Sequence, residues 1–172
     1  MDVVNSADMF VADGISLVWL ARTKGYQVKK RVSGADLMAA FLPLAEEKGY
    51  NVFFYGDTDE TLKALRERLS EDHPNLKIAG TYSPPFRTLT PDEDAEEVRM
   101  INDSGANVVW AGLGLPKQER WMAAHRDQLN AQVMVGVGAA FKFASGQVRR
   151  APSWIGDNGF EWLWRFVQEP RR

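Results

Sequence analysis

The 172-residue chain contains no cysteine. That excludes disulfide frameworks, thiolate nucleophiles, zinc–cysteine sites and iron–sulfur clusters, and it suits a reducing compartment. Histidine is nearly as scarce. His73 and His125 are the whole complement, too few for a histidine-rich metal centre. No apolar run reaches the length of a membrane span, and Met1–Ala12 lacks a basic start followed by an apolar core. Neither a spanning helix nor a signal peptide is therefore expected.

What is present is the balance of an ordinary globular domain, with 45% hydrophobic and 26% charged residues. The net charge of −2 hides an asymmetry: residues 57–103 carry 12 acidic and 6 basic side chains. Residues 145–172, by contrast, hold Arg149, Arg150, Arg165, Arg171 and Arg172 against Asp157, Glu161 and Glu169. The same stretch contains Trp154, Phe160, Trp162, Trp164 and Phe166. A cationic, aromatic-rich end on an acidic protein reads either as a surface for phosphates or lipid headgroups or as a core helix with solvated arginines. Nothing points to nucleic acid, and the sequence leaves homo-oligomerisation open.

Strand-like and helix-like periods alternate along the chain. The pattern predicts strands at Met9–Ala12, Asn51–Tyr55, Leu76–Tyr82, Asn107–Ala111 and Gln132–Val137. Helices are expected over 15–22, from Ser33 or Gly34 with Leu37, Phe41 and Leu44 on one face, over 58–71, from Thr90 to about Asn102, and over 117–128. Thr90-Pro91-Asp92-Glu93 is a capping box with proline at the first helical position. Such alternation specifies an α/β protein: a Rossmann-like, doubly wound, mostly parallel sheet with helices on both faces and a helical C-terminal end. Residues 1–152 form the expected core, and 153–172 the start of a helical appendage.

Ligands of such folds bind where strand carboxyl ends meet helix N-termini. Four loops qualify: Ala12-Asp13-Gly14, Tyr55-Gly56-Asp57, Gly112–Glu119 and Gly136-Val137-Gly138. In the third, Gly112 and Gly114 free backbone N–H groups, Pro116 opens a helix, and Lys117, Gln118 and Glu119 add polar groups at its N-terminal end. That suits a diphosphate, and it equally describes a tight turn with exposed polar residues. Asp13 is either a general base or the N-cap of helix 15–22. Arg31 is a phosphate ligand or part of a solvated basic loop. Asp57-Thr58-Asp59 and Asp92-Glu93-Asp94 match a D-x-D metal–nucleotide pattern, but both are expected in first turns of helices, where acids are stabilising anyway, so no metal is expected. His73 reads as a surface turn residue and His125 as a helix-end cation.

The runs GLGLPKQERW (112–121), GVGAAFKFASGQVRRAPSW (136–154) and GFEWLWRFVQEPRR (159–172), preceded in order by ADG (12–14) and KRVSGADL (30–37), resemble the WecG/TagA/CpsF bacterial glycosyltransferases. The resemblance covers nearly the whole chain. It implies an inverting, metal-independent enzyme without a cofactor. Such an enzyme moves a sugar, often N-acetylmannosamine, from a UDP-sugar donor to a polyprenyl-diphosphate-linked saccharide for a cell-surface polymer. It further implies a cytoplasmic protein, peripheral on the inner membrane face. Asp13 would be the base, Gln118 a substrate-positioning amide and Arg31 a phosphate or acceptor contact. Arg165 and Arg172 would belong to a C-terminal appendage that closes over the site and touches an anionic membrane surface. Lys142 stands where the family pattern has Asp, and that pattern runs past both ends of this chain, as expected of a fragment or trimmed form. A non-catalytic UDP-sugar or lipid-diphosphate binding module, or an unrelated Rossmann-like nucleotide-binding protein, are the alternatives.

Overall fold

Val52, Phe53, Phe54 and Tyr55 are apolar at four successive positions, the signature of a strand buried on both faces. The computed structural model, which describes residues 6–148, places them in strand β1 (Asn51–Gly56) with each at most 2% exposed. Three more strands follow: β2 (Lys77–Tyr82), β3 (Val108–Gly112) and β4 (Val133–Gly136). All pair in parallel in the order β2-β1-β3-β4. The helices are α1 (Ile15–Thr23), α2 (Gly34–Lys48), α3 (Asp59–Asp72), α4 (Pro91–Asp103), α5 (Lys117–His125) and α6 (Ala140–Ala144). Residues 153–172, expected as an appendage, lie outside the described residues.

The alternation of β1 sorts the core into two layers. Val52 and Phe54 pack with Leu42 of α2, Leu62 and Leu65 of α3, and Phe141 of α6. Phe53 and Tyr55 face the other way, toward Ile101 of α4, Val109 and Leu129. The sheet is thus covered on both sides, a Rossmann-like α/β architecture as the sequence predicts. No helix among the described residues is long and apolar enough to cross a membrane.

Helix starts follow the sequence closely. Ser33 caps α2 and Thr90 caps α4, each in a complete capping box with Asp36 and Glu93 respectively. Two expectations fail. Met9–Ala12 forms no strand; Met9, Phe10 and Val11 are exposed, and Ala12 accepts one backbone bond from Val32 N–H at 3.0 Å in place of a ladder. An apolar run becomes a strand only where a sheet edge receives it. On α2 the buried stripe is Met38, Leu42 and Ala45, while Leu44 is 42% exposed. Leu37 and Phe41 flank that stripe, so the true face is turned by one position.

The strands β1 and β3 close on each other at Gly56 and Gly112, which are register partners. Gly56 has φ +117°, and a Cβ there would lie 2.7 Å from the Gly112 carbonyl carbon. Both the conformation and the contact demand glycine. Gly56→Ala should therefore lower stability by about 3 kcal/mol, summing backbone strain and overpacking; an unchanged urea midpoint would contradict this.

Candidate active site

The strand order reverses between β1 and β3, since the chain leaves β1 for β2 on one side and returns to β3 on the other. Crevices open at such switch points, beyond the carboxyl ends of the strands. A cleft of about 920 Å³ lies there. Its walls come from Asp57, the 84–91 loop, Gly112–Gly114, Lys117 and the turn from Gly138 to Lys142.

One wall is aromatic. Tyr55 stacks on Trp121 at 4.2 Å between centroids, and Trp121 on His125 at 4.7 Å; Tyr82 extends the column behind Tyr55. The Tyr55 hydroxyl donates a short hydrogen bond to Oε2 of Glu97, whose other oxygen is buried without a partner. Burial first, then Glu97, pushes the Tyr55 phenol well above its ordinary range, and the same two causes raise Tyr82. His125 is engaged at both ring nitrogens: Nδ1 donates to the Trp121 carbonyl at 2.7 Å, and Nε2 lies 3.1 Å from Asp94 Oδ1. His125 is therefore a buried, acid-paired group that braces Trp121. It stands in the last turn of α5, at the helix end the sequence predicts, but buried.

The rim is charged. Arg87 grips both oxygens of Glu93, at 2.7 and 2.6 Å. That bond, together with the backbone N–H of Thr90, draws the Glu93 carboxyl down to about 2. It ties the loop after β2 to the start of α4. Across the mouth, the Lys117 ammonium sits 5.7 Å from the centroid of Phe86, which is 95% exposed.

The expected site residues divide into groups. Gly112, Gly114, Lys117 and Gly138 line the cleft. Gln118 is buried just behind it; its Oε1 accepts from the Gly138 N–H at 2.9 Å and its Nε2 donates to Glu119 at 2.8 Å. Gly136 is part of the same brace, because a Cβ there would lie 2.9 Å from Gln118 Nε2. Asp13 and Arg31 are not among the cleft-lining residues. The Val32–Ala12 bond sets their segments side by side, and Gly34 packs on Val137 at the end of β4, where a Cβ would be 2.8 Å from its carbonyl oxygen. The N-cap of α1 is Gly14, so Asp13 is not that cap. Arg165 and Arg172 lie outside the described residues.

Asp57 is misplaced by the D-x-D reading. It precedes the cap Thr58 instead of lying in the first turn of α3, adopts φ +58° and faces the cleft. A non-glycine residue in the left-handed region is uncommon, Asp being one that tolerates it, and spacing alone does not reveal it. Asp94 does lie in the first turn of α4, yet it also lines the cleft and holds His125. Among the described residues no three His, Asp or Glu side chains gather as a group able to hold a metal ion. His73 pairs with Glu46 at 3.1 Å and is likewise more than a surface turn residue.

These features define a doubly wound α/β protein with a cleft at its switch point. All 172 residues match the Glycosyl transferase WecG/TagA/CpsF family, and the chain belongs to it. The N-acetylglucosaminyldiphosphoundecaprenol N-acetyl-beta-D-mannosaminyltransferase of Bacillus subtilis (strain 168) is 32% identical over 174 residues, covering 99% of this chain and 65% of that relative. The protein of the same name in Bacillus spizizenii (strain ATCC 23059 / NRRL B-14472 / W23) is 34% identical over 171 residues, 99% of this chain and 64% of its own. That of Staphylococcus aureus (strain MW2) is 29% identical over 172 residues, 100% of this chain and 66% of its own. The chain spans just under two thirds of the length of these curated relatives.

Tyr55→Phe should remove the hydrogen bond that Glu97 Oε2 accepts in the buried layer and cost about 1–3 kcal/mol of stability. Adding Glu97→Leu should recover part of that loss, as a double-mutant cycle in urea would register. Two additive losses would show that the pair is not coupled.

Proposed function

We propose that the chain carries an inverting, metal-independent hexosyl transfer, moving N-acetylmannosamine or a related sugar from UDP to a polyprenyl-diphosphate-linked N-acetylglucosamine. The observation that carries this reading is the switch-point cleft, with glycine turns and Lys117 at the start of α5, in a member of this glycosyl transferase family. The names of the relatives supply the acceptor and the sugar.

The UDP diphosphate lies against the Gly112–Gly114 backbone and Lys117, where the N-terminal end of α5 adds its partial positive charge. The acceptor hydroxyl oxygen attacks the anomeric carbon and Asp13 takes its proton. The bond from that carbon to the UDP oxygen breaks, and UDP departs with the electron pair. One displacement inverts the centre and needs a base but no protein nucleophile. The acids of the two D-x-D runs have other partners in part: Asp94 holds His125, and Asp57 accepts from the Thr58 N–H at 2.9 Å. Arg31 contacts a phosphate or the acceptor, and Gln118 acts by holding the Gly138 turn. Arg165 and Arg172 belong to the end that meets the anionic inner face of the membrane, where the protein is peripheral.

With UDP release as the readout, Asp13→Asn should cut acceptor-dependent turnover roughly a hundredfold while leaving the melting temperature in place. EDTA should change nothing. Wild-type turnover in the variant removes Asp13 from the mechanism, and a chelator loss restored by manganese removes metal independence.

The full chain should bind anionic vesicles weakly, lose them in high salt, and lose them on deletion of residues 153–172. Binding that survives the deletion would assign the membrane contact elsewhere.

A further inference from the structure

The charges lining the cleft are unevenly satisfied. Asp94 is paired with His125, Asp57 accepts from a backbone N–H, and Arg87 is held by Glu93. Lys117 and Lys142 have no carboxylate partner among the described residues; the Lys117 ammonium meets only the Phe86 ring. Two ammonium groups reaching one cleft from different helices, neither held by a carboxylate, are available to an anion.

Lys142 is also the better fixed of the two. Its neighbour Phe141 is fully buried, packs edge-on against Phe54 at 5.6 Å, and fills the space where a Gly112 side chain would stand, 2.6 Å from an ideal Cβ. The backbone of Lys142 donates to Ala139 at 3.2 Å and accepts from Val148 N–H and Ser145 Oγ, both at 3.1 Å. The residue is thereby pinned beside the carboxyl end of β3, half-buried, on the cleft wall. Beside it Gly138, and across the lining Gly114, have open space where a side chain would be, so a ligand can approach their backbones.

We infer that Lys142 is a ligand of a bound diphosphate, closing with Lys117 on its oxygens and supplying charge stabilisation from the protein alone. This rests on the cleft being the nucleotide site. The same chemistry is offered by the donor's diphosphate and by a prenyl diphosphate, and Lys142 would hold whichever lies between the two lysines.

The test is calorimetric titration of the full chain with UDP, uridine and farnesyl diphosphate. Lys142→Gln should weaken a diphosphate roughly tenfold, the worth of one charge-assisted contact, leave uridine unchanged, and flatten the salt dependence. Lys142→Arg should retain most of the affinity. A loss seen with UDP places the donor between the lysines, and one confined to farnesyl diphosphate places the acceptor there; either supports the inference. Unchanged affinity for both diphosphates, or an equal fall for uridine, would overturn it and leave the donor cleft standing. A wild-type chain that binds none of the three would take down the cleft assignment and this inference together.

Discussion

The close approach of Gly56 to Gly112 is the contact on which the site depends. Two parallel strands that meet with no side chains between them bring the ends of β1 and β3 together at the switch point. The chain then turns sharply at Asp57, whose N–H donates to the Gly112 carbonyl at 3.1 Å and whose own carbonyl accepts from Ser83 Oγ at 2.7 Å. The loops after β1, β2 and β3 are stitched at one point. Phe141 then docks on Gly112 from the other side and brings the turn after β4 into line. A parallel sheet buried on both faces supplies the rigid base for all four.

Polar groups behind the cleft serve mainly to hold shape. Gln118 spans from α5 to the Gly138 turn, and His125 and Asp94 link α5 to α4. Tyr55 and Glu97 link β1 to α4. Each bond joins elements that the hydrophobic layers alone would let slide, and Tyr55 and Asp94 do so from the cleft wall itself. Of the charged side chains lining the space, Lys117 and Lys142 have no carboxylate partner among the described residues. Fixed charges and backbone N–H groups of this kind stabilise developing negative charge without having to reorganise.

Much of this was legible in the residues. The Thr90 and Ser33 caps, the strand at Asn51–Tyr55 and the glycine turns are local signals, and they survive in the fold because tertiary packing agrees with them. Where a feature depends on distant partners, local pattern fails. Met9–Ala12 has a strand's composition but no edge to join. Leu44 shares a spacing with Leu37 and Phe41, yet the sheet surface sets which stripe of α2 is buried. His125 and Asp94 are 31 residues apart, and no spacing rule connects them. Asp57 was legible as a loop residue but not as one held in a left-handed conformation facing the cleft. The motif around Gly112–Trp121 supplies part of the cleft wall; the motif could not say that Gln118 points back into the scaffold.

Glu93 closes the capping box of α4 and holds Arg87 of the cleft rim with the same carboxylate. One protonation therefore releases two constraints. Its carboxyl is depressed from 4.5 to about 2, so the contribution is complete above about pH 4.5 and is lost as pH falls toward 2. Within that window the helix start and the loop it anchors behave as one acid-labile unit, and the rim of the cleft loosens before the buried layers beneath it have reason to.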